Sequence, residues 1–113
     1  MRIHWGAAAA IDVVVVTAFV LIGRASHDAD TPLVATLWPF VAGLAAGWLI
    51  SRAWRAPISI RTGLIIWPVT AAVGILLRAL TGQGVQLSFI IVTTLVLGAF
   101  LMGWRLLAKL VIK

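Results

Sequence analysis

One acid stands inside the first apolar run of the chain. Asp12 follows Ala7-Ala8-Ala9-Ala10-Ile11 and precedes Val13-Val14-Val15-Val16. A carboxylate facing hydrocarbon at such a position costs at least ~2.5–3.5 kcal/mol, so Asp12 must face other helices, hold a proton, or both. Two readings are open. Asp12 is either a proton-coupled group or a packing contact hydrogen-bonded to Thr70, Thr93, Thr94, backbone or water. By i, i+4, i+7, i+11 spacing it shares a helical face with Val16, Phe19 and Gly23, so that stripe points inward if Asp12 does.

The densest polar cluster is Arg24, His27, Asp28, Asp30 and Arg78. Arg24 and Arg78 each end an apolar stretch, and the two acids lie just beyond Arg24. This composition fits a salt-bridged lid or an anion-binding site equally well. Trp67, Ala71, Gly74 and Arg78 share one helical face, and Pro68 between them removes a backbone donor from the helix. His4 and His27 fall at opposite ends of the first stretch, too far apart to clamp one metal or haem. No carboxylate–histidine pair has metal-ligand spacing. There is no nucleophile–base motif, no Gly-rich phosphate loop and no Cys. We therefore expect no enzyme activity, no metal and no cofactor.

The elements that position these residues follow from hydropathy. Of 113 residues 63% are hydrophobic and 11% charged, too few polar groups to cover a water-facing surface. Four apolar stretches run roughly Trp5 to Gly23, Leu33 to Ser51, Thr62 to Leu80 and Leu87 to Leu107. Each approaches the ~20 residues that cross ~30 Å of hydrocarbon as a helix. Short connections make neighbouring helices antiparallel, and Thr31-Pro32 is a cap followed by a favoured first helical residue. The expected fold is one all-α domain, an integral membrane bundle of four transmembrane helices. The small residues Gly43 and Gly47 (a GxxxG pair), Gly74, Gly98 and Gly103 are expected at close helix contacts, within the chain or between copies.

Charge orients the bundle. Arg2, Arg52, Arg55, Arg61, Arg105, Lys109 and Lys113 lie on one side; Arg24 and Arg78 lie on the other with Asp28 and Asp30. The bias places both termini in the cytoplasm and the chain in the cell membrane. Trp5, Trp48, Trp54 and Trp104 fall on the same side, as an interfacial belt would. The net charge of +6 is thus a topology signal rather than a nucleic-acid footprint.

Several short pieces resemble a bacterial group of small four-helix membrane proteins catalogued as a domain of unknown function (family 3054). They are Asp12, Ile22-Gly23-Arg24-Ala25-Ser26-His27, Trp67-Pro68-Val69-Thr70 with Gly74 and Leu77-Arg78, Ser88-Phe89, and Gly103-Trp104-Arg105. The resemblance implies a four-helix fold and no particular activity. In size, and in having an acid in its first span, the chain also resembles the small multidrug-resistance transporters, whose dimers exchange protons for cations on a membrane carboxylate. Here the acid is Asp rather than Glu, it lies nearer the cytoplasmic side, and an aromatic-rich cation pocket is not evident. The leading expectation is a structural or accessory subunit that packs against itself or a larger membrane complex. The alternative is a small proton-coupled transporter or channel using Asp12 and the Arg24/Arg78 cluster. For topology, an impermeant thiol reagent on intact cells should label Ser26→Cys and spare Ser59→Cys; the reverse pattern would invert the orientation.

Overall fold

The computed structural model describes residues 4–27, 33–82 and 86–111. Four α-helices follow in order: α1 Trp5–His27, α2 Leu33–Ser51, α3 Ile60–Leu80 and α4 Leu87–Val111, with a single 3-10 turn at Ala53–Arg55 between α2 and α3. All four are long and apolar enough to cross a membrane. The longest dimension, 43 Å, matches a bilayer with its headgroups. Against expectation α1 runs four residues longer, α3 starts two residues earlier and α4 ends four residues later. The Thr31-Pro32 cap lies outside the described residues.

Contacts between helices run in opposite numerical order along each neighbouring pair. Phe19 meets Phe40, and Asp12 meets Trp48. Gly43 lies against Thr70, and Gly47 against Ile66. Trp67 reaches Thr94, and Gly63 lies against Met102. The bundle is therefore up-down-up-down. Its core draws Val16, Phe19 and Val20 from α1, Phe40 and Leu44 from α2, Ile66 and Ala71 from α3, and Leu97 and Leu101 from α4. Outward surfaces are aliphatic, with Val14, Leu49, Leu80 and Leu110 among the most exposed side chains. Such a surface suits lipid rather than water.

Glycine sets the closest approach, between α2 and α3. A Cβ on Gly43 would stand 2.7 Å from the Thr70 carbonyl oxygen, and one on Gly47 would stand 3.1 Å from Ile66 Cα. Gly74 admits the Phe40 ring, and Gly98 admits the Trp67 indole, whose Nε1–H donates to the Thr94 carbonyl at 2.7 Å. Both helices run through their prolines, Pro39 and Pro68, without a break. At Gly103 a Cβ would meet nothing within 4 Å among the described residues, so of its two expected roles the contact within the chain is not the one seen.

The α2–α3 connection is held in place. Arg52 ends α2 in the left-handed region at φ 52°. Ala53 is fully buried, and the Thr62 hydroxyl donates to the Ala56 carbonyl at 2.7 Å. Glycine packing can be tested directly. Gly43→Ala should lower stability by about 1–3 kcal/mol, because backbone stands where the methyl must go. Gly103→Ala should be neutral or gain up to ~1 kcal/mol from helix propensity. Denaturant titration in detergent micelles reads both, and equal effects at the two positions would contradict the packing described.

Candidate functional site

Asp12 faces the bundle and is fully buried, but its partners are not the expected threonines. Arg105 of α4 grips the carboxylate with both terminal nitrogens: Nη1 donates to Oδ1 at 2.9 Å and Nη2 to Oδ2 at 2.7 Å. Trp104 Nε1 donates to Oδ1 and Trp48 Nε1 to Oδ2, each at 2.8 Å. Each carboxylate oxygen thus accepts two hydrogen bonds. A proton or a cation could bind only by displacing one of these donors.

Arg105 is as completely engaged. Its Nε donates to the Pro57 carbonyl at 2.9 Å, and Nη1 also donates to the Leu101 carbonyl at 3.1 Å. With the two bonds to Asp12, four of the five guanidinium N–H groups have acceptors. The guanidinium carbon lies 4.7 Å from the Trp104 ring centroid, so indole covers one face. Gly63 of α3 makes room for the stem: a Cβ there would be 3.0 Å from Arg105 Cδ. One acid therefore ties α1 to α2 through Trp48, to α4 through Trp104 and Arg105, and to the α2–α3 connection through Arg105.

Three residues read as surface features point inward. Arg105 is fully buried rather than a free topology charge, and Trp48 and Trp104 are partly buried donors rather than simple interfacial anchors. The signal for Arg105 was available in its spacing. Leu97, Leu101 and Arg105 lie four residues apart on one face of α4, and all three have no exposed surface. Trp48 continues the Phe40–Leu44 stripe of α2 in the same way. Thr70 and Thr93 are buried with hydroxyls that find no partner among the described residues, as is Thr36. Thr94 donates instead to the Ile90 carbonyl at 2.8 Å.

At the opposite end of the bundle Arg78 is buried, with its guanidinium 4.6 Å from the Phe89 ring centroid. Phe40 links Phe89 to Phe19 through ring contacts of 6.3 and 5.4 Å. Aromatic carbon therefore fills the bundle next to Arg78. The other proposed members of that cluster are not placed: Asp28 and Asp30, and the side chains of Arg24 and His27, lie outside the described residues. His4 accepts a hydrogen bond from the Gly6 amide at 3.0 Å and stacks on Trp5.

This geometry alters what substitutions at Asp12 should do. Asn in place of Asp aims an NH2 at two N–H donors, so Asp12→Asn should destabilise by about 1–3 kcal/mol even if the site is purely structural. Asp12→Leu, which leaves the Arg105 charge buried and unpaired, should cost about 3–5 kcal/mol. The double variant Asp12→Leu/Arg105→Met should recover most of that loss, since a paired charge and its apolar replacement are often nearly equal. Unfolding of wild type, Asp12→Leu, Arg105→Met and the double variant in one detergent tests this; a double variant as unstable as the two single changes added together would show that the pair is not the unit.

The comparisons with known proteins add no activity. No curated protein and no solved structure matches the chain. A family model described as a protein of unknown function does match, over residues 9–108. That match runs from just before Asp12 to just beyond Arg105, so it takes in the ion pair and all four helices, and the chain belongs to the DUF3054 family.

Proposed function

We propose that the chain is a small structural or accessory subunit of the cell membrane, with both termini in the cytoplasm, packing against itself or a larger membrane complex. The observation that carries this reading is the closure of Asp12. A carboxylate that exchanges protons with solvent needs a free lone pair and a wettable approach. Asp12 is without exposed surface, and each of its oxygens accepts two donors. Its geometry suits a permanent joint. The reading needs no catalytic group, metal or cofactor.

One observation favours the second reading, a small proton-coupled transporter or channel. The hydroxyls of Thr36, Thr70 and Thr93 are buried without partners among the described residues, and buried hydroxyls in that state are sites for water. The two readings separate in a reconstituted system. A subunit should leave the membrane in mild detergent as a defined oligomer or with a fixed set of other membrane proteins. In liposomes it should carry no proton-driven flux of cations or anions. A monomer with flux that vanishes in Asp12→Asn, at a temperature where that variant remains folded, would overturn the subunit reading.

A further inference from the structure

The end of the bundle that holds the α2–α3 connection carries Arg52, Arg55, Arg61 and Lys109, all exposed. Asp12 is consumed by Arg105. Among the described residues no other acidic side chain is present to neutralise these four cations.

The helix surfaces beside them are apolar. On α2, just before Arg52, Leu49 is 68% exposed and Ile50 65%; on α4, flanking Lys109, Leu107 is 64% exposed and Leu110 70%. Trp54 sits between Arg52 and Arg55 on the single 3-10 turn and is 45% exposed, its indole available at the boundary. That turn does not swing freely. Buried Ala53, the Thr62–Ala56 bond and the Arg105–Pro57 bond fasten it to the bundle, and Arg52 is held at positive φ. Cations and an exposed indole at one end of helices with aliphatic outer surfaces match a molecule that joins a phosphate to acyl chains.

We infer that this end of the bundle is a binding face for anionic phospholipid, of the phosphatidylglycerol class. Arg52, Arg55, Arg61 and Lys109 meet the headgroup phosphate, Trp54 packs at the glycerol level, and the exposed aliphatic side chains of α2 and α4 meet the acyl chains. An acidic segment of a partner protein would meet the cations but not the indole and aliphatic side chains around them. The inference rests on the membrane placement proposed above and is independent of the subunit role.

The test uses the full chain in phosphatidylcholine nanodiscs with increasing phosphatidylglycerol, read by melting midpoint. Wild type should rise with phosphatidylglycerol and not with added phosphatidylcholine. In Arg52→Gln/Arg55→Gln/Arg61→Gln binding should weaken by roughly fivefold per cation, so the rise should be lost over the accessible range of phosphatidylglycerol content. Its midpoint in pure phosphatidylcholine serves as the folding control. If the triple variant does not fold, high salt on wild type replaces it and should remove the rise. A rise that persists in the folded triple variant, or in high salt, overturns the inference. So does an equal rise with inorganic phosphate or with an acidic peptide, which would assign the cations to a soluble anion or to a protein partner. A chain that never enters the nanodisc refutes the membrane placement itself, whereas one that enters and ignores phosphatidylglycerol refutes only this face.

Discussion

A buried charge must be matched by an opposite charge and by hydrogen bonds, or the structure around it gives way. Asp12 imposes that condition here. Its carboxylate lies among apolar helices, and four donors from three side chains close on it. The positions of Trp48, Trp104 and Arg105 follow from it. So does the conformation of the α2–α3 connection, whose Pro57 carbonyl takes the remaining side of the guanidinium. Gly63 leaves the space that Met102 and the Arg105 stem occupy.

The rest of the bundle is held by shape. In hydrocarbon an apolar side chain gains little by leaving lipid for a neighbouring helix, so association depends on how closely backbones approach. Gly43 and Gly47 let α2 lie directly on the α3 backbone, and Gly74 and Gly98 each seat an aromatic ring. The two devices differ in reach. Glycine contacts join α2 to α3 and α3 to α4, helices adjacent in sequence. The ion pair joins α1 to α4 and closes the bundle.

Helix number, type and approximate extent were legible because each stretch is long and almost wholly apolar, a pattern with few alternatives. Asp12 was legible as an inward residue because its cost in lipid leaves no other choice. Its partners were not. Arg105, Trp48 and Trp104 sit near helix ends, where the same residue types serve as topology charges and interfacial anchors, and residue type alone does not separate the two roles. Spacing could have separated them, since Arg105 continues the Leu97–Leu101 stripe and Trp48 the Phe40–Leu44 stripe. Gly103 shows the complementary limit. A small-xxx-small spacing marks a face that permits close packing, and nothing in the spacing says whether a neighbour occupies it.

The two halves of the ion pair stand 93 residues apart in the chain. Synthesis proceeds from the N-terminus, so Asp12 is made long before Arg105 exists. Until α4 is made, α1 carries an acid that only Trp48 can partly satisfy. Only the arrival of the last helix completes its set of donors. A chain that stalls before α4 leaves the Asp12 carboxylate without three of its four hydrogen bonds, so the first helix is finished by the last.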